Sequence, residues 1–285
     1  MIDPSQQVLP ALLVAVTFQD LITHMLFLMP LALVAAVVLM AVLWVIHLLI
    51  RNAAIVDFGW SVGIALCALV YAVLGPGYQP RKWLFTTMVV LWGMRLAFYL
   101  LFTRVIGQPE EGRYQQIRKE WKTSIPLKFF FFFQFQALLG VVLSVPFLVA
   151  AVNPAPSLHW LEYAGAAVWL MAFVGESAAD AQLKAFKADP ANKGKTCQVG
   201  LWHYSRHPNY FFEWLIWVAY ALFASASPWG WLGWVCPAMM LYFLFKVTGI
   251  PATEAQALRS KGEEYRRYQE TTNAFIPWLP KKAAQ

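Results

Sequence analysis

Glu176-Ser177-Ala178-Ala179-Asp180-Ala181-Gln182-Leu183-Lys184-Ala185-Phe186-Lys187 leads through Asp189-Pro190-Ala191-Asn192-Lys193-Gly194-Lys195 to Tyr204-Ser205-Arg206-His207-Pro208-Asn209-Tyr210-Phe211-Phe212-Glu213. This stretch opens inside an apolar helix, crosses a basic polar loop and re-enters an apolar helix. Charged residues make up 13% of the chain, so such a concentration beside two membrane-grade helices stands out. Ionisable groups at that depth are costly and tend to be kept for function.

The composition outside this stretch sets the class. The 285 residues are 60% hydrophobic and 16% aromatic, with mean hydropathy +0.53. A soluble domain is nearer 45–50% apolar. The expectation is an all-α polytopic membrane helical bundle forming one membrane domain over residues 1–285. Within it, 1–23 is an N-terminal extension, 24–128 holds the first spans and a charged loop, and 129–285 holds the remainder. Apolar runs at 24–50, 53–75, 83–103, 129–152, 160–187, 208–226 and 229–249 predict about seven crossings. Residues 8–18 are too short to span and read as interfacial or re-entrant. Gly75-Pro76-Gly77 marks a turn. The tail predicts an amphipathic helix from Thr253 to about Gln269.

The net charge of +7 follows topology and is no nucleic-acid signal, though a polyanionic ligand such as a nucleotide cofactor could use some of these cations. Lys and Arg gather at Arg51, in 104–128, in 184–206 and in the tail, while the opposite loops hold only Arg81 and Lys82. Positive residues prefer the cytoplasm, which places the N-terminus outside, the C-terminus inside, and the polar loops beside soluble cofactors. The expected location is a bacterial inner membrane. Cys67, Cys197 and Cys236 form no C-x-x-C pair, so neither a disulfide framework nor a metal site is expected. His24 and His47 lack metal-ligand spacing. The run Phe129 to Phe133 faces lipid or packs in a core.

Glu176, Asp180, Lys184 and Lys187 share one helical face. The same spacing serves intrahelical Glu–Lys pairing. Alternatively, two cations one turn apart can grip a diphosphate, with carboxylates binding hydroxyl or amine hydrogens. Pro208 suits a first helical turn, and Tyr204, Arg206 and His207 surround that helix start. A helix N-terminus flanked by cations is a natural anion site, or simply a basic helix start obeying topology. Asn209 and Glu213 lie one turn apart beyond it. No Gly-x-Gly-x-x-Gly occurs, which argues against a Rossmann site.

Asp57 lies in the first turns of the second span and Arg95 well inside the third. A buried salt bridge or a snorkelling arginine accounts for both. A functional reading groups Asp57 with Trp92, Arg95 and Tyr99, since the last three share a face by their i, i+3, i+7 spacing.

The block from Glu176 to Glu213 and the tail resemble the C-terminal domain of the steroid 5-alpha-reductase family, most closely an uncharacterised bacterial branch of it. The resemblance covers roughly residues 50–280. It rests on Ser205-Arg206-His207-Pro208-Asn209-Tyr210, on Asp189-Pro190-Ala191-Asn192-Lys193-Gly194-Lys195, on Gly249-Ile250-Pro251 and on Ala274-Phe275-Ile276-Pro277. It implies seven helices and NADPH in a cytoplasm-facing cavity. The implied cofactor residues are Glu176, Asp180, Lys184, Lys187, Asn209 and Glu213, to which the anion-site reading of the helix start adds Tyr204, Arg206 and His207. The implied catalytic end is Asp57, Trp92, Arg95 and Tyr99. In the family pattern, Lys184 and Lys187 stand for two Arg and Glu176 for an Asn. The catalytic Tyr falls near Trp92.

The function these residues imply is NADPH-dependent reduction of a carbon–carbon double bond conjugated to a ketone. The substrate would be lipophilic, steroid-like or isoprenoid, arriving laterally from membrane lipids. An S-adenosylmethionine-dependent methyltransferase is the alternative. The isoprenylcysteine carboxyl methyltransferases have a similar Arg-His-Pro-x-Tyr helix start and a similar tail, here Glu254, Glu263, Glu264, Tyr265 and Tyr268. A phosphate grip at Lys184 and Lys187 separates the two, because S-adenosylmethionine has no diphosphate. A non-enzymatic scaffold or transporter predicts no cofactor at all.

Overall fold

The computed structural model describes residues 17–247 and 249–281. Among them every regular element is helical. In chain order these are α1 (Phe18–Ile50), α2 (Ile55–Leu74), α3 (Gln79–Leu100), α4 (Gly112–Trp121), α5 (Ile125–Leu143), α6 (Val145–Ala151), α7 (Trp160–Ala188), α8 (Leu201–Tyr204), α9 (Pro208–Ala224), α10 (Val235–Tyr242), α11 (Ile250–Lys261) and α12 (Glu263–Thr271). Single π-turns extend α3 over Leu101–Val105 and α10 over Phe243–Val247.

Among the described residues five helical runs are long and apolar enough to cross a membrane: Phe18–Ile50, Ile55–Leu74, Gln79–Val105, Ile125–Leu143 and Gly230–Lys261. The protein is an all-helical membrane protein. The other two expected crossings form as helices, but α9 has only 17 residues, about 25 Å at 1.5 Å per residue. Along α7, apolar residues give way to Glu176, Asp180, Lys184 and Lys187.

The expected boundaries differ where local chemistry intervenes. Helix α1 begins at Phe18 instead of 24, because Thr17 and Asp20 form a capping box at its start. The expectation for 8–18 lies almost wholly outside the described residues. The fourth apolar run is two helices. Pro146 supplies no amide hydrogen, and the break at Ser144 is filled by Ser144 Oγ donating to Val141 O at 2.7 Å and meeting Tyr71 OH at 2.9 Å. The tail helix is likewise two, because Gly262 takes φ 58°, which a side chain disfavours.

The chain divides into two compact units. One comprises residues up to Glu162 with Phe223–Leu232, the other Tyr163–Leu222 with Gly233 onward. In the first unit α1, α2, α3 and α5 pack side by side. The phenylalanine run serves both expected purposes: Phe129 and Phe133 are fully buried, while Phe131 and Phe135 are exposed. At one end of this unit Arg81 is buried, ion-paired to Glu162, and donates to Asn153 O, Ala155 O and Ser157 O at 2.6–3.0 Å. Its neighbour Lys82 is buried as well and donates to Gly75 O at 2.6 Å. The two basic residues of these loops are therefore spent inside the protein.

Candidate functional site

The second unit holds the polar face expected from the sequence. Helix α7 carries it and α9 packs against it. Gly175 permits that approach, since a Cβ there would come within 2.5–2.6 Å of the Phe212 ring. Just beyond this contact Glu176 and Asp180 are both buried. Asn209 Nδ2 donates to Asp180 Oδ1 at 3.4 Å, and Glu213 follows one turn later, half-buried. Lys184 and Lys187 continue the same face into the open and are exposed. The face thus grades from buried carboxylates to free-reaching ammonium groups over three turns.

The loop back from α7 to α9 is tied to α7 at two points. Trp202 Nε1 donates to Ala179 O at 2.9 Å, and Leu201 N donates to Gln182 Oε1 at 2.8 Å. Gly200 makes this fit, with φ 58° and no room for a Cβ beside Gln182. The thiol of Cys197, in the same loop, is buried and its pKa is pushed up by that burial. Tyr204 is exposed.

Arg206 and His207 have a different environment from the expected anion site. Arg206 Nε lies 2.7 Å from Glu254 Oε1, and His207 Nε2 lies 3.2 Å from the same oxygen. Arg206 Nη1 also donates to Gln269 O at 3.0 Å and to Thr272 O. These carbonyls end α12, so the guanidinium caps that helix. Gln269 Nε2 completes the cluster by donating to Glu254 Oε2 at 2.7 Å. His207 stacks on Tyr210 with centroids 5.3 Å apart. Burial pushes Tyr265 up to about 12, and the negative charge of Glu254 adds to it. The Arg206 donors directed at Glu254, Gln269 and Thr272 are occupied by protein, which removes them from a cofactor phosphate. The tail is held further by Ser205 Oγ donating to Phe275 O at 2.8 Å and Tyr268 OH donating to Ser205 O at 3.1 Å. Sequence reasoning missed Glu254 as the partner of Arg206. Its signal was a carboxylate one turn into the polar helix after Gly249-Ile250-Pro251.

In the first unit, Asp57 is held by groups from the charged segment after α3. Arg104 Nη1 is 3.1 Å from Asp57 Oδ2, Arg113 Nη2 2.6 Å from it, and Tyr114 OH donates to Asp57 Oδ1 at 2.7 Å. Tyr114 is fully buried, and burial first, then Asp57, raises its pKa well above 10.0. These contacts tie Asp57 to the segment that follows α3. The same segment is latched again where Arg118 pairs with Glu110 at 2.8 Å and Glu110 Oε1 accepts from Ala53 N at 2.8 Å. Trp92 is fully buried with its ring 6.2 Å from Trp60, and Arg95 and Tyr99 are half-buried on the same helix. The cations of 104–128 were read as topology alone, which is why Tyr114 and Arg113 went unassigned.

Comparison with known proteins adds a family. A family model described as a protein of unknown function, DUF1295, matches residues 43–272. The chain is 26% identical over 267 residues to the uncharacterized protein C594.04c of Schizosaccharomyces pombe, covering 84% of this chain and 76% of that one. No solved structure matches. The chain belongs to the DUF1295 family.

Proposed function

We propose that this DUF1295 protein is a membrane-embedded, NADPH-dependent reductase of a conjugated carbon–carbon double bond in a lipophilic enone. The observation that carries the reading is the graded face of α7, with buried Glu176 and Asp180 leading to exposed Lys184 and Lys187. Two ammonium groups one turn apart suit a diphosphate as point charges. Buried carboxylates with a neighbouring amide suit ribose hydroxyls and a carboxamide, which offers both donor and acceptor. Lys184 and Lys187 would therefore hold the diphosphate, and Asp180, Asn209 and Glu213 the nucleoside end. When bound, NADPH supplies a hydride for the β carbon of the enone. The α carbon then takes a proton, so that two electrons and one proton, with the hydride's own hydrogen, saturate the bond. The chain's own part is to position the nucleotide, exclude water and keep the polar face beside the bilayer that delivers the substrate. The distribution of basic residues supports a cytoplasmic placement of this face with seven crossings.

A second reading is favoured by one observation. Arg206, His207, Glu254 and Tyr265 form one cluster between the α9 start and the tail, the pieces that the methyltransferase resemblance brings together. Titration calorimetry of the detergent-purified protein with NADPH, NADH and S-adenosylmethionine separates the readings. Binding of NADPH alone is expected. Binding of S-adenosylmethionine without NADPH would transfer the function to the second reading.

A further inference from the structure

The end of the tail forms an exposed apolar strip with a fixed backbone. Ile276, Trp278 and Leu279 are 58%, 68% and 71% exposed. They are not loose. Phe275 is buried against Leu244, Ile250, Tyr210, Phe211, Trp214 and Leu241. Trp278 N donates to Tyr204 O at 2.9 Å, and Lys281 N donates to Thr271 O at 2.7 Å. The strip borders a groove of about 490 Å³ lined by Phe245, Asn273, Ala274, Phe275, Ile276 and Trp278, none of them ionisable. Phe245 belongs to the apolar run Gly230–Lys261, so one wall of the groove is a membrane-crossing helix at its polar end. Lys246 follows Phe245 on that helix, and Lys281 closes the strip.

We propose that this strip is an interfacial anchor that seats the tail in the headgroup–acyl boundary of an anionic leaflet. An amphipathic indole held open beside aliphatic side chains favours that layer. Its continuity with the end of a crossing helix puts the strip at the right depth. Lys246 and Lys281 supply charge complementary to anionic headgroups, an attraction that falls away within a Debye length of the surface. Because Trp278 is bonded to Tyr204 and Phe275 to Ser205, seating the strip also fixes the Ser205–His207 turn that starts α9.

The test uses nitroxide labels on the full chain in lipid nanodiscs. The native thiols Cys67, Cys197 and Cys236 are buried, so labelling directs itself to Trp278→Cys or Leu279→Cys, with Glu263→Cys as an aqueous control. Collisional broadening by oxygen reports the acyl region and by a nickel chelate the water. At 278 and 279 oxygen is expected to dominate, with the reverse at 263. Lys246→Gln with Lys281→Gln should weaken the seated population by about fivefold per lysine in phosphatidylglycerol discs and leave phosphatidylcholine discs unchanged. Nickel-dominated broadening at both 278 and 279 overturns the proposal. So does dipolar broadening that disappears on dilution with unlabelled chain, which would show a second copy in the groove. Equal effects of the lysine changes in both lipids would overturn the anionic preference. A failed fold in one labelled variant is checked by the other, since both side chains point outward.

Discussion

Glu254 Oε1 sits 2.7 Å from Arg206 Nε and 3.2 Å from His207 Nε2, forty-odd residues away along the chain. One carboxylate therefore closes the basic start of α9 and ties it to the tail. Glu254→Ala leaves the Arg206 side chain, 10% exposed, without its counter-charge. The expected loss is about 3–5 kcal/mol of stability. Glu254→Gln, which keeps shape and hydrogen bonding, should lose less. Unfolding in detergent followed by tryptophan fluorescence measures both. Equal stability of Glu254→Ala and the parent would show that the cluster contributes nothing.

Lys184→Ala combined with Lys187→Ala tests the phosphate grip. NADPH affinity should fall by about tenfold to a hundredfold for two lost charge-assisted contacts. The deficit should shrink as salt rises, because both lysines are exposed. Calorimetry at two ionic strengths reads it. Unchanged affinity would take this face out of the cofactor site.

Asp57→Asn separates latch from chemistry. The Asp57 contacts hold Arg104, Arg113 and Tyr114, so the variant should expose the segment 101–121 to trypsin at Arg113 and Arg118. If Asp57 only orients this segment, turnover per folded molecule should change little. Abolished turnover with unaltered proteolysis would restore a direct catalytic role.

Much of the fold is legible in the sequence because its causes are local. Hydropathy places α7 within a residue of expectation, and Pro208 opens α9 as its chemistry requires. The faces were legible too, since i, i+4 spacing needs no partner. What periodicity does not carry is which face meets which. Arg206 with Glu254, and Asp57 with Arg113 and Tyr114, are pairings across 48 and about 56 residues that no window contains. The splits at Ser144 and Gly262 were missed for a further reason. A single Pro or Gly is tolerated in many helices, and only the surrounding bonds decide whether the helix breaks.

Gly175→Ala should destabilise the α7–α9 contact by about 1–3 kcal/mol, because the new Cβ overlaps the Phe212 ring. Phe212→Ala in the same chain should relieve most of that loss. A double-mutant cycle on thermal unfolding measures the coupling. Additive losses would mean that the ring moves aside freely.

Cys197 provides a pH test. Its thiol is raised from an ordinary value of 9.0 by burial. A raised pKa stabilises the fold fully below the unfolded value, and the contribution is lost as pH climbs through the folded value. The parent chain should therefore lose more stability than Cys197→Ser between about pH 8 and 10. The thiol should also alkylate slowly at pH 8 until the protein unfolds. Parallel stability curves for the two chains would contradict a buried thiol.

The clamp on Arg206 also has a timetable. Ser205 and Arg206 leave the ribosome well before Glu254, Gln269, Thr272 and Phe275, the residues that receive them. At about 5–20 residues per second the interval lasts seconds. The last of the five long apolar runs among the described residues begins at Gly230, so all five are under way while the turn that starts α9 still waits for Glu254 and the carbonyls beyond it. A chain stopped at Gly262 would hold these five runs and Glu254 and still lack Gln269, Thr272 and Phe275, which complete that turn. The turn that starts α9 is thus completed only once synthesis has run on past Phe275, some seventy residues downstream of Ser205.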